Sequence, residues 1–262
     1  MRNPPKPPRF DGDSVREEWN RLAAVYAGAQ SSGRDHYRFA FFGPAHIDLC
    51  GDVRGLDVLD VGCGAGYFSR AMANRGARVI AIDISPRMID FAREAEQSEP
   101  LGIDYRILDA ADIESALDGL TFDLATSCLA LQDMPEVPRV LRGVHKVLRP
   151  GGRFVVSITH PCTDTPFRRW ERDPGGAKRW LCIDRYFERA PFQFTWTQWT
   201  PEPMATTAIH APLEDWIAWS LSTGFQLRGL REPMPTAETL KAYPDLDDAT
   251  RVPYYLFLDL MA

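Results

Sequence analysis

The sequence predicts an α/β fold: a parallel sheet with helices on both faces. Two observations predict it. Between residues 57 and 159, short apolar runs rich in β-branched residues alternate with helix-like stretches, as strands buried on both sides do when crossover helices join them. The first such run, Val58–Val61, ends in glycines at alternate positions, Gly62, Gly64 and Gly66. A turn without Cβ atoms at a strand tip lets backbone approach a ligand closely. The chain has 262 residues, 45% of them hydrophobic, which suits one sizeable domain carrying an elaboration.

Residues 1–13 hold four prolines in Pro4-Pro5-Lys6-Pro7-Pro8 and are expected to form a flexible or polyproline arm. Residues 14–50 read as a helical cap. Ser14 as N-cap, with Glu17 three residues on, opens a helix over 15–29 that places Val15, Trp19, Leu22, Ala23 and Tyr26 on one face. A second helix covers 39–50. The core follows over 51–160, with strands at 57–61, 78–83, 103–108, 122–127 and 153–159. Its helices run over 67–75, stopped by Gly76; from Pro86, capped by Ser85; and over 137–148, closed by Arg149-Pro150-Gly151-Gly152. Residues 213–262 give a helix at 213–223 and strands at 225–231 and 252–261. The intervening segment, 161–212, has no clear periodicity, and a segment of that length inside a compact domain is usually functional. It is expected to be a lid that selects a substrate. Within it, alternation in Phe192-Gln-Phe-Thr-Trp-Thr-Gln-Trp199 predicts a strand with its aromatics on one face.

Glycine spacing separates the loop at 62–66 from the dinucleotide fingerprint G-x-G-x-x-G. The position of the third glycine in that fingerprint is Tyr67, whose ring would obstruct the tight pyrophosphate turn. The longer stretch from Val58 to Ser85, with Asp60 inside the first strand and Asp83 ending the second, resembles the first motifs of class I S-adenosylmethionine-dependent methyltransferases. It is similar to their small-molecule branch, the ubiquinone-biosynthesis-type enzymes. The Leu148-Arg-Pro-Gly-Gly152 turn adds to the likeness. The resemblance implies a Rossmann-like mixed sheet of seven strands, the last two antiparallel, with an N-terminal helical cap and an aromatic-rich insertion after the fifth strand. It implies S-adenosylmethionine as cofactor and methyl transfer to an oxygen or nitrogen of a small molecule, the alternatives being methyl transfer to RNA or protein and a non-catalytic module that binds S-adenosylmethionine.

The resemblance also implies roles for residues. Asp83 would accept hydrogen bonds from the ribose hydroxyls. Asp109 and the backbone of Ala110 would clamp the adenine, although Asp112 could supply the carboxylate instead. Ile84 and Met88 would pack on the ring, or Met88 would be plain core. Gly62 and Gly64 would bring backbone to the amino-acid end. Asp60 would order the glycine loop or reach the ammonium. Ser127 would pass near the sulfonium, and Tyr26 and Arg38 would close over the site or serve as core aromatic and surface arginine. If a base assists, His160 is the first candidate and His210 the second; related sequences often carry histidine near Gln132. Apart from the resemblance, the density of aromatics in 161–212, which also contains Trp170, Phe192 and Trp199, lets Trp180, Tyr186, Phe194 and Trp196 face a flat or apolar acceptor or a cation, the alternative being a satellite core beneath a long loop.

A formal net charge of −6 gives no global field to draw nucleic acid. The local cluster Arg168, Arg169, Arg172, Lys178 and Arg179 is diluted by Glu171 and Asp173 and reads as a solvated loop. Five scattered cysteines, without C-x-x-C pairs or His/Cys ligand spacing, fit reduced thiols and no metal. No apolar run approaches membrane-spanning length, so the protein is expected to be cytoplasmic, with a homodimer possible.

Overall fold

A computed structural model describes residues 8–196 and 204–262, with backbone only at Trp196 and Met204. Its centre is a seven-stranded sheet in the order β3 (Asp104–Ile107), β2 (Arg78–Asp83), β1 (Asp57–Val61), β4 (Phe122–Cys128), β5 (Leu148–Thr159), β11 (Tyr255–Met261), β10 (Gln226–Arg231). The first five run parallel; β11 pairs antiparallel with both β5 and β10. Strand order reverses between β1 and β4, and ligands of such sheets bind in the crevice beyond the carboxyl ends at that point.

Both faces are covered because successive side chains in each strand point to opposite sides and both sets are apolar. Val58, Val155 and Phe257 pack on one face beneath α2 (Gly43–Cys50) and α3 (Tyr67–Ala73), against Ile47, Phe68 and Met72. Their sequence neighbours Leu59, Val156 and Leu258 pack on the other, beneath α5 (Ile113–Ala116), α6 (Val137–Val147) and α7 (Leu213–Ser222), against Leu141, Val144 and Trp216. Helix α4 (Pro86–Ser98) is capped by Ser85, whose hydroxyl accepts the Met88 N–H, as its Ser-Pro start predicts.

Several details differ from the sequence reading. Helix α1 spans Gly12–Ser31, because Asp11 rather than Ser14 is its N-cap. The Asp11 carboxylate accepts the Ser14 N–H, and the Ser14 hydroxyl accepts the Asp11 N–H in return. The second helical piece divides into a π-helix over Tyr37–Phe42 and then α2. Gly43 permits the wide turn: its N–H donates to the Arg38 carbonyl, and a Cβ there would lie 2.1 Å from that oxygen. Between β10 and β11 lie a short helix α8 (Ala237–Ala242) and a 3₁₀ segment (Pro244–Thr250).

Residues 161–212 contain two antiparallel hairpins, β6 (Phe167–Arg172) with β7 (Lys178–Asp184), and β8 (Ala190–Trp196) with β9 (Met204–His210). Strand β9 is tied to α1, where the Glu18 carboxylate accepts the Thr207 N–H at 2.7 Å and its hydroxyl at 3.2 Å. Residues 1–7 of the expected proline arm, and Trp199, lie outside the described residues. Among the described residues no helix is long and apolar enough to cross a membrane, and no His/Cys/Asp/Glu group could hold a metal ion.

Candidate functional site

The turn after β1 is pinned to β2 before any ligand is considered. The N–H groups of Gly62 and Cys63 both donate to the Ile82 carbonyl at 2.9 Å. The Asp83 carboxylate accepts the Gly64 N–H with one oxygen and the Ser85 N–H with the other, each at 2.9 Å. One carboxylate thus holds the glycine loop and the start of α4 together.

The three glycines do not all clear space for a ligand, as the sequence alone suggested. All have positive φ, but a Cβ at Gly62 would lie 2.5 Å from the Cβ of Ala130, and one at Gly66 would lie 2.5 Å from the Tyr105 hydroxyl. Those two are glycines because neighbouring protein occupies the position. At Gly64 the nearest atom to a Cβ is a ring carbon of Tyr26 at 3.4 Å, across the mouth of a cavity.

That cavity is lined by Gly62, Gly64, Asp83, Ile84, Met88, Asp109, Ala110, Cys128 and Leu129, with Val15, Trp19 and Tyr26 of α1 beside them. Helix α1 is docked there by Asn20, whose side-chain oxygen accepts from the Ser85 hydroxyl at 2.7 Å and from the Arg87 N–H at 3.2 Å. Asp109 caps the short 3₁₀ turn Ala110–Asp112 through one oxygen, which accepts the Ala111 N–H. Asp112 is paired with Arg139 at 2.8 Å and does not line the cavity, so it is not the alternative to Asp109.

Two other expected cofactor residues sit behind the wall. Asp60 is 1% exposed and accepts the Ser69 hydroxyl at 2.6 Å, while Ser127 is fully buried with no hydrogen-bond partner for its hydroxyl among the described residues. Burial pushes the carboxyl of Asp60 up to about 7 and that of Asp83 up to about 6; for Asp83 the two N–H donors hold it below what burial alone would give. An unfolded aspartate ionises near ~3.9, so the folded chain binds the proton more tightly. Each group therefore costs stability increasingly as pH rises from about 4 to its folded value, and nothing below that window. Asp60→Asn keeps an acceptor for Ser69 and removes the charge. Its stability relative to wild type should rise by a few kcal/mol between about pH 4 and pH 8, read from thermal unfolding of the ligand-free proteins. A constant difference across that range would show that Asp60 is ionised throughout.

A second cavity adjoins the first, and Trp19, Tyr26, Leu129 and Asp133 line both. Its other walls carry Tyr37, Phe42, Trp170, Phe194, Tyr254 and Tyr255, with the charged pairs Asp35–Arg38 and Asp164–Arg168 at 2.9 and 3.1 Å and Lys178 paired with Asp248. Arg38 is 4% exposed, framed by the rings of Tyr26, Phe42 and Phe68, and faces this cavity rather than the first. It is neither a surface arginine nor, in this structure, in the wall of the first cavity. Arg168 and Lys178 also line the chamber, which corrects their reading as a solvated loop. Asp133 is the residue that sequence reasoning passed over. An acidic residue in the loop after β4, beside Gln132, was the available signal.

Both expected bases lie elsewhere. His160 is 2% exposed, with Nε2 2.8 Å from Glu232 and Nδ1 accepting the Cys162 N–H; burial lowers its basicity against the opposing pull of Glu232. His210 is equally buried and bonds the Tyr186 carbonyl at 2.8 Å. Neither lines the first or the second cavity; each histidine holds a loop. Of the four aromatics expected to face an acceptor, Phe194 lines the chamber. Trp180 is 72% exposed on the outside of β7, and the Tyr186 hydroxyl is used by the Leu213 N–H. The side chain of Trp196 lies outside what is described.

Residues 59–156, from β1 to β5, match the family model described as a methyltransferase domain. The ubiquinone biosynthesis O-methyltransferase of Xanthomonas oryzae pv. oryzae is 36% identical over 106 residues, 40% of this chain and 44% of that one. The chain thus spans less than half the length of the curated relatives it matches first. The crystal structure of an S-adenosylmethionine-dependent methyltransferase from Mesorhizobium loti superimposes with a TM-score of 0.69 at 30% identity, covering 84% of this chain and 96% of that one. The cyclase SpnF shares the fold at 17% identity with a TM-score of 0.65, over 97% of each chain, so fold alone does not name the chemistry. A glycine loop pinned by Asp83, an adjoining cavity and a 30% identical methyltransferase matched over nearly its whole length agree: the chain belongs to the S-adenosylmethionine-dependent methyltransferases.

Proposed function

We propose that the protein moves the methyl group of S-adenosylmethionine to an oxygen or nitrogen of a small aromatic or apolar molecule held in the second cavity. The observation that carries this reading is the shared wall: the two cavities meet at Trp19, Tyr26, Leu129 and Asp133. The residues of the first cavity fit the cofactor. Asp83 offers its carboxylate at the end of β2 for the ribose diol; Asp109 and the backbone of Ala110 suit an adenine edge; Ile84 and Met88 offer apolar faces; and the Gly64 position leaves room that a side chain would fill. When bound there, the cofactor supplies an electrophilic methyl on a positively charged sulfur.

The chain's own contribution is placement. Leu129, at φ +51, turns the backbone at the tip of β4 and is fixed by its N–H donating to the Ser157 carbonyl at 2.9 Å. Rings from α1, the π-helix, β6, β8 and β11 surround the acceptor and exclude water, and alignment with desolvation suffices for much of the acceleration of such a displacement. The aromatic insertion acts as the lid that selects the acceptor, with Trp170 and Phe194 as its contacts. Formation of S-adenosylhomocysteine from labelled cofactor, with phenols and aryl amines in one set and RNA and proteins in another, tests the proposal. Turnover confined to the small molecules is expected; turnover confined to the macromolecules would overturn it.

Phe194→Ala and Trp170→Ala should each raise the acceptor KM by roughly ten- to a hundredfold, since aromatic burial and ring contacts contribute a few kcal/mol. Cofactor affinity should stay within about twofold, because neither ring lines the first cavity. Unchanged acceptor kinetics in folded variants would assign these rings to a satellite core.

A further inference from the structure

Carboxylates on the two cavities are almost all compensated. Asp83 accepts two N–H groups, Asp109 one, and Asp35 and Asp164 pair with arginines. Asp133, 7% exposed and on the wall common to both spaces, is different. Among the described residues no cation lies within 4 Å of it, and its side-chain contact is a long hydrogen bond, 3.4 Å, from the neutral Gln132 amide. The charges that act on it most are negative, Glu18 from α1, Asp164 from the loop after β5 and Asp83 from β2, while the cations of the second cavity, Arg38, Arg168 and Lys178, are each paired with another carboxylate. An uncompensated carboxylate in such a place is costly.

We infer that Asp133 is the counter-ion for the sulfonium of S-adenosylmethionine, and that through it the site distinguishes the charged methyl donor from its neutral product. The inference rests on the cofactor reading above. A methyl group that crosses from the first space to the second starts at their common wall, and Asp133 is the acidic group on that wall. A sulfonium carries a fixed charge with no N–H or O–H to donate. It suits a carboxylate on a wall shared with the apolar Leu129 and Trp19 better than it suits a site built from directed acceptors. Burial, reinforced by the negative charge of Glu18, Asp164 and Asp83, pushes the Asp133 carboxyl well above its ordinary range. Arrival of the cation favours the ionised carboxylate. After transfer the C–S electron pair stays on sulfur and the cation is gone. The Asp133 carboxylate is then free to take the proton that an O–H or N–H acceptor sheds as its new C–O or C–N bond forms.

Calorimetric titrations of S-adenosylmethionine and S-adenosylhomocysteine, each in phosphate and in Tris at pH 7.5, read the protons exchanged on binding. Protons exchanged by Asp83 or Asp60 are common to both ligands, so the difference isolates the sulfonium. Wild type should release more protons with the donor than with the product, and should bind the donor roughly tenfold or more tightly. Asp133→Asn, nearly isosteric, should abolish both differences while leaving product affinity within about threefold. Equal proton release by the two ligands in wild type needs no variant to be read, and would overturn the inference while leaving the cofactor site standing. A preference for the donor that survives in Asp133→Asn would do the same. Failure of wild type to bind either ligand would overturn the cofactor reading and this inference together.

Discussion

Asp83→Ala is expected to weaken S-adenosylhomocysteine binding by roughly ten- to a hundredfold. Hydrogen bonds to a charged group contribute about 1.5–3 kcal/mol, and about 1.4 kcal/mol is a factor of ten in affinity. The carboxylate acts twice: it faces the cavity for the ribose, and it holds the Gly64 and Ser85 N–H groups. Alanine removes both functions. Asparagine is no conservative control, because its single oxygen can satisfy only one of two N–H groups that are now held by two. Both variants should therefore bind weakly, with alanine the weaker. Binding in wild type should also fall as pH drops below about 6, where Asp83 takes a proton. Calorimetry on folded Asp83→Ala with unchanged affinity would remove Asp83 from the site.

Gly64→Val is expected to abolish measurable cofactor binding while unfolding stays cooperative. The residue has φ +54, a conformation that costs an ordinary side chain about 1–2 kcal/mol. The branched side chain would also fill the gap between the loop and the Tyr26 ring, adding overpacking of about 1–3 kcal/mol against a bound ligand. Gly62→Val makes the opposite comparison. Its Cβ would meet Ala130 at 2.5 Å and Met134 at 3.0 Å, so the damage falls on the fold and the melting temperature should drop several degrees further than for Gly64→Val. Equal loss of stability in both variants would mean that the Gly64 position is set by packing too.

How much of this was legible follows from which interactions are local. Strands β1 and β2 begin and end where the sequence places them, because apolar runs closed by Gly62 and Asp83 mark their ends without help from distant chain. The alternation that buries Val58 and Leu59 on opposite faces is likewise written in the residues. The cap of α1 was misplaced because both Asp11 and Ser14 can serve, and their reciprocal hydrogen bonds decide between them. The first cavity could be foreseen for Gly62, Gly64, Asp83, Ile84, Met88, Asp109, Ala110 and Tyr26, most of which lie at strand tips whose order the family resemblance supplies.

The second cavity was less legible, since it is assembled from α1, the π-helix, two hairpins and β11, whose contacts join residues more than a hundred positions apart. Nothing local distinguishes a histidine that fixes a loop, as His160 and His210 do, from one that faces a substrate. Nor does the sequence show that Trp180 points outward while Trp170, on the paired strand, lines the chamber.

A crystal structure with S-adenosylhomocysteine bound tests the central claim most directly. The account predicts the ribose hydroxyls within hydrogen-bond distance of Asp83, the adenine against Asp109 and Ala110, and the sulfur at the wall formed by Trp19, Tyr26, Leu129 and Asp133, facing the aromatic chamber. Ligand bound outside the first cavity, or with its sulfur turned away from that wall, would contradict it.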